Sequence, residues 1–411
     1  MALSKANIAL LFTTRIVRMF AYGFLSVILA LYLTSLGLSE AETGLLFTFT
    51  LVGDAGISLW ITTSADQVGR RRMLVLSALL MVLASGVFLL TRNLPIMILA
   101  AIIGVISPSG NEIGPFLSIE QAALSQLLPS ERRTQVFAWY NLVGSFATAT
   151  GALCSGWLAQ GLQSTGYSAL ESYRFVLAGY ASGGLVLAGL FLGLSGVVEA
   201  RPADSPLPSP RTLGLHRSWR VVLRLSALFS LDAFAGGLVV QSMVAYWFHV
   251  RFGVPTGLLG SIFFGANLLA GISALLASRL ARRFGLINTM VFTHIPSNLL
   301  LCLVPLMPTL TLAITVLLMR FSISQMDVPT RQSYTMAVVA PDERSAASGV
   351  TSIARSVGGA LSPALSGLLM TNPILLSAPF LLSGGLKIVY DLLLYRSFKS
   401  LKPPEESKSG L

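Results

Sequence analysis

Apolar stretches of about 20 residues follow one another along almost the whole chain, each long enough to cross a bilayer as an α-helix. That feature decides the fold class, because lipid satisfies no backbone hydrogen bond and admits only helices or closed barrels. Barrel strands would be shorter and would alternate apolar with polar residues; these stretches do not alternate. Charged residues make up 11% of the 411, against about 25% in soluble domains. The sequence therefore specifies an all-α integral membrane protein with many crossings.

Hydropathy and helix breakers predict twelve spans, near 8–35, 42–64, 73–91, 95–128, 134–159, 173–197, 220–250, 256–278, 286–306, 309–339, 345–370 and 374–396. The opening "MALSKANIALLFTTR" reads as the start of the first span rather than a removed signal. A Pro/Ser-rich interruption then divides the chain into a six-helix bundle over 1–198, a linker over 199–219 and a second six-helix bundle over 220–411. Of 28 lysines and arginines, 18 fall with the two termini and the even-numbered connections. Only Arg92, Arg174 and Arg251 fall on the other side. That bias places both termini and the linker in the cytoplasm. It also accounts for the net charge of +11 without a nucleic-acid partner, since the basic residues sit in short loops.

The two halves repeat. A shift of 216 positions brings Gly37 onto Gly253, Gly44 onto Gly260 and Gly69 onto Gly285, and sets "ADQVGRRR" opposite "ARRFGLIN". Later, "PSERR" at 129 corresponds to "PDERS" at 341. Parallel halves of this kind are a transporter architecture. The loop after the second span carries Gly53, Asp66, Gly69, Arg70 and Arg71 at the spacing G-x8-G-x3-D-R-x-G-R-R, with Thr62 and Gln67 departing from it. In span count, linker, repeat and loop, the chain resembles the major facilitator superfamily. The resemblance implies two bundles with nested inverted repeats, alternating access and usually a monomer. It also makes the five loop residues a gating motif. Physically, Asp66 can accept amides at a helix N-terminus, and Arg70 and Arg71 can pair with Glu120 or Glu131. The plainer alternative is that the arginines only fix topology.

The most informative stretch is "VISPSGNEIGPF", residues 105–116, inside the fourth span. Were it a loop, the flanking segments of about 18 Å could not cross a core of about 30 Å. It must therefore be a broken helix within one span, interrupted by Pro108, Gly110, Gly114 and Pro115. Irregular backbone at that depth is tolerated only inside protein or against water, so Asn111 and Glu112 are expected to line a cavity. The tenth span holds a counterpart, "MRFSISQMDV" at 319–328, with Arg320, Gln325, Asp327, Pro329 and Arg331. Interrupted segments at matching positions mark a binding site.

Asp54, Asp232, Arg15, Arg18 and Gln241 also fall inside spans. A charge at the bilayer centre costs ~2.5–3.5 kcal/mol on insertion scales, so function or pairing is the default reading. Glu112 is the leading proton-carrier candidate, followed by Asp54, Asp327 and Asp232, since a carboxylate in a low-dielectric cavity can load and release a proton as its exposure alternates. Asn111, Arg15, Arg18, Gln241, Arg320, Gln325 and Arg331 are the substrate-facing candidates. Structural ion pairs with Arg15, Arg18, Arg320, Arg331 or Arg355 are the alternative for every carboxylate.

There is no G-x4-G-K-[ST] pattern, so neither ATP nor another cofactor is expected. The three histidines (His216, His249 and His294) and two cysteines (Cys154 and Cys302) are scattered and suggest neither a metal site nor an active site. The fifth span reads "GALCSG", a degraded form of the G-P-x-x-G-G of drug–proton antiporters, with Ala152 and Ser155 departing. The expectation is a proton-coupled solute transporter of the cell (inner) membrane, with export ahead of import and a transporter-fold receptor as the remaining alternative.

Overall fold

A computed structural model describes residues 2–112, 114–199, 217–340, 343–399 and 401. The predicted linker is therefore described only at its ends, and the tail beyond 401 lies outside the described residues. Among these residues the helices are α1 (Ala2–Ser26), α2 (Leu29–Ser35), α3 (Glu40–Val68), α4 (Arg70–Leu90), α5 (Leu94–Ile103), α6 (Phe116–Leu127), α7 (Ser130–Ser164) and α8 (Ala169–Leu192). They continue as α9 (Trp219–Gly237), α10 (Gln241–Phe252), α11 (Thr256–Phe284), α12 (Leu286–Leu303), α13 (Leu310–Phe321), α14 (Asp327–Ala337), α15 (Arg344–Met370) and α16 (Ala378–Phe398). Nine stretches of described helix are long and apolar enough to cross a membrane.

The fourth span is broken where its composition requires. Apolar α5 has 10 residues and α6 has 12, about 15–18 Å each and too short to cross alone. Between them Gly110 and Gly114 take φ of +68° and +81°, a region that L side chains enter only at a cost. The tenth span is broken differently. Chain 322–326 forms turns between α13 and α14 without a positive-φ glycine, and Pro329 falls in the first turn of α14. There its missing amide is no loss, so Pro329 starts the second helix rather than breaking one. The first and seventh spans, expected to be continuous, are also interrupted, at Val27–Ile28 and between Gly237 and Gln241.

The repeat has a conformational basis. Gly37, Gly253, Gly69 and Gly285 all have positive φ, and the last two join α3 to α4 and α11 to α12. Each half needs left-handed backbone at the same joints, so glycine recurs there.

Contacts divide the chain into two compact units, Met1–Ala203 with Val240–Asn267, and Asp204–Val239 with Leu268–Leu411. In the first, α1 packs on α7 and α8, and α4 on α8. Gly23 and Gly151 lie so close to the opposing α7 and α1 backbones that a Cβ would overlap Thr148 or Phe20. In the second, α9 packs on α15 and α12 on α16. Gly53, of the loop motif, sits where α3 crosses the backbone of Ile102 on α5.

Candidate functional site

In the first unit, α1 carries Arg15 and Arg18 towards the break in the fourth span. Fully buried Arg18 holds Glu120 of α6 with two parallel bonds, Nη1 to Oε1 at 2.8 Å and Nη2 to Oε2 at 2.7 Å. Its Nε also donates to Glu112 at 3.0 Å. Glu112 forms a second ion pair with Arg15. Glu120 further accepts from Thr14 Oγ1 at 2.8 Å and from the Tyr140 hydroxyl. Two arginines thus meet two glutamates, and the charges balance. A bidentate guanidinium–carboxylate pair is among the strongest polar contacts a protein makes. Removing one partner from such a buried pair costs about 3–5 kcal/mol.

Asp54 of α3 differs from these acids. Its Oδ1 accepts from the amide of Gly114, in the break, at 2.6 Å and from Ser58 Oγ at 3.1 Å. No basic nitrogen among the described residues forms an ion pair with it. The break is also where α10 attaches. Ser242 presents its amide, at 3.0 Å, and its hydroxyl, at 2.6 Å, to the carbonyl of Pro108, while Gln241 Nε2 donates to Ser26 Oγ at 2.7 Å. Gln241 therefore belongs to the first unit's polar surroundings. Asn111 is exposed, its carbonyl accepting from Ser107.

In the second unit, Asp232 of α9 is a hub. Lys387 Nζ lies 2.5 Å from its Oδ1, while Arg331 at 3.3 Å and Arg355 at 3.1 Å hold its Oδ2. Arg331 also pairs with Asp327, one turn earlier on α14, at 2.9 Å. His294 of α12 places Nδ1 2.8 Å from Oδ1 of Asp391 and Nε2 4.0 Å from Oδ1 of Asp232. Asn298 donates to the other oxygen of Asp391 at 3.0 Å. Arg320 stands outside this network. It ends α13 with its guanidinium over the Phe321 ring, and its buried Nε has no hydrogen-bond partner among the described residues. Gln325 donates its amide to Ser273 at 3.2 Å.

Sequence reasoning singled out Arg15, Arg18, Glu112, Asp232, Asp327 and Arg331 without assigning partners; the structure brings the first three together in one unit and the last three in the other. It overlooked Lys387, Asp391, Asn298 and Tyr140, and it set His294 aside. One signal was available, because Lys387 and Asp391 are two ionisable groups four apart inside the last apolar run, which places them on one helix face. The loop motif also differs in detail. Glu120 is engaged by Arg18, and the described contacts of Arg70 and Arg71 run to the end of the first half. Glu199 accepts from both their amides, at 2.6 and 3.3 Å, and so caps α4. Arg70 Nη1 donates to Gln126 at 2.9 Å. In the second half Glu343 likewise accepts from the amides of Arg217 and Ser218, just before α9, at 2.7 and 2.8 Å. The side chains of Asp66 and Glu131 lie outside the described set.

Comparison with known proteins gives one family. Residues 11–363 match the Major Facilitator Superfamily. A Saccharomyces cerevisiae protein described as an uncharacterized membrane protein is 31% identical over 420 aligned residues, 95% of this chain and 94% of its own. Among solved structures, the nucleoside transporter NupG superposes with a TM-score of 0.74 at 14% identity, over 97% of this chain and 100% of its own. A D-xylose–proton symporter gives 0.70 at 15% identity, over 96% of this chain and 97% of its own. At such identities the likeness is one of fold.

Proposed function

We infer that this chain, which belongs to the Major Facilitator Superfamily, moves a small solute across a membrane in exchange for protons. Transport by alternating access, without enzymatic chemistry, follows from the family. The coupling, its carrier and its direction are our reading. Nine long apolar stretches, the two broken spans α5–α6 and α13–α14, and α15 support the twelve-span form. Its halves are 1–198 and 220–411 with the linker 199–219 between them. The distribution of lysine and arginine favours a cell membrane with both termini on the cytoplasmic side.

The observation that carries the coupling is the contrast between Asp54 and the acids around it. Glu112 and Glu120 compensate buried arginines, so protonating either leaves an unbalanced guanidinium. Asp54 has only an amide and a hydroxyl as partners. A protonated carboxyl can still accept from both Gly114 and Ser58 through Oδ1 while Oδ2 carries the proton. Both protonation states of Asp54 therefore keep the break intact, which makes it the first carrier, with Glu112 second. Asp327 holds a fixed charge against Arg331. Asn111, Gln241, Arg320 and Gln325, with side chains outside the ion-pair sets, are our candidates for meeting substrate. The fifth-span sequence, although Ala152 and Ser155 depart from the antiporter pattern, supports export over import.

The test is accumulation of radiolabelled solutes by proteoliposomes under an imposed pH gradient. Wild-type protein should accumulate or expel one class of solute with the gradient, and Asp54→Asn should do neither while still exchanging that solute at equal pH. Gradient-driven transport by Asp54→Asn at the wild-type rate would remove Asp54 from the mechanism. Gradient-independent transport by wild type would remove coupling altogether.

A further inference from the structure

The acids and permanent cations of the Asp232 network cancel. Asp232, Asp327 and Asp391 face Lys387, Arg331 and Arg355, three charges of each sign. Among the described side chains ion-paired in that network, His294 stands outside that balance. It sits between two carboxylates of the set, with Asp391 at Nδ1 and Asp232 beyond Nε2. The ring is buried, edge-on to Tyr390 at 6.0 Å between centroids.

We propose that His294 is a second proton-carrying residue, which takes a proton on Nε2 and exchanges it with Asp232 during the transport cycle. The proposal rests on the proton-coupled reading given above. An ionised carboxylate only accepts hydrogen bonds, so the contact with Asp391 keeps the hydrogen of the neutral ring on Nδ1. That leaves the Nε2 lone pair directed at Asp232, and Asn298 holds Asp391 in place. Asp391 is thus a positioning residue. The 4.0 Å gap is too long for a hydrogen bond, and a shift of about 1 Å closes it. Proton transfer between His294 and Asp232 is then governed by a small movement of α9 against α12, such as alternating access supplies.

Arg355 is the most open member of the set, its side chain 33% exposed against 4% for Asp232 and 10% for Lys387. It contacts the same carboxylate that His294 faces. A proton carried on Oδ1 of Asp232, the oxygen that Nε2 of His294 faces, passes to Nε2 once the gap closes, so that the O–H bond on that oxygen breaks as one N–H bond forms. The groups that set the occupancy of His294 are Asp232 from α9, Asp391, Lys387 and Tyr390 from α16, Asp327 and Arg331 from α14, and Arg355 from α15. With His294 neutral the set carries no net charge, and with His294 protonated it carries one positive charge.

The test uses His294→Asn, because the Asn amide can still donate to Asp391 while carrying no exchangeable charge. In proteoliposomes this variant should exchange solute at equal pH like wild type, but lose gradient-driven accumulation by about tenfold, within the usual ~5–150-fold range of coupling between sites. A second readout needs no transport. The chain has three histidines, so in histidine-labelled protein the NMR signal missing from His294→Asn reports this ring alone. That signal should move with pH and move again when the solute is added. If wild type is gradient-driven and His294→Asn is equally so, or if the signal stays fixed from about pH 5 to 8, His294 carries no proton. If wild type shows no gradient dependence while the solute exchanges, the coupled reading fails first and this proposal with it.

Discussion

The interrupted fourth and tenth spans occupy matching positions in the repeat but are built from different materials. The fourth turns on Gly110 and Gly114 with left-handed backbone, whereas the tenth turns through "SISQM" without it. The ion pairs beside them differ too. Two arginines and two glutamates balance in the first unit, three acids and three cations in the second. Against each balanced set stands one further ionisable group. In the first unit it is Asp54, which becomes negative by losing a proton. In the second it is His294, which becomes positive by gaining one. On the proposed reading, most of the intramembrane charge is scaffold and coupling resides in the remainder.

The widest test of that division is stability. Arg18→Ala leaves Glu120 buried and unmatched, and should destabilise the detergent-solubilised protein by about 3–5 kcal/mol, read as a lowered melting temperature. Asp232→Ala should do as much, because it leaves Lys387, Arg331 and Arg355 facing one another. If either variant melts like wild type, that network is not scaffold and the comparison breaks. Asp54→Leu removes the acceptor for Gly114 and should cost about 1–3 kcal/mol, whereas Asp54→Asn should melt close to wild type.

Smaller effects sharpen the contrast. Glu199→Ala uncaps α4 and should cost about 0.5–2 kcal/mol, with Glu343→Ala comparable in the other half. Gly114→Ala, forced to φ of +81°, should cost about 1 kcal/mol. Ser322→Ala in the tenth-span break, where no residue needs positive φ, should leave the melting temperature within about 0.5 kcal/mol of wild type. Equal sensitivity at both breaks would show that they are the same device after all.

Much of the fold was legible because lipid leaves few choices. Length and apolarity predicted helices, and Pro108, Gly110, Gly114 and Pro115 in a span too short to split predicted the break. Asp327 and Arg331 were legible as a pair because four residues is one helical turn. Partnerships between spans were not, since nothing local says that Arg18 will meet Glu120, 102 positions away. Glu199 was read as the edge of a linker, yet its carboxylate caps α4. His294 was weighed only as a metal ligand or catalytic base. Its meaning depends on Asp232 and Asp391 reaching it from two other helices, which no spacing in the sequence displays.

The most direct test of the account is the proton count on adding a transported solute to purified wild type, Asp54→Asn and His294→Asn in weakly buffered proteoliposomes. The account predicts a solute-triggered proton signal in wild type that is abolished by Asp54→Asn and diminished by His294→Asn, with all three proteins still exchanging the solute. An undiminished signal in both variants would contradict it, and would return the proton to the paired carboxylates.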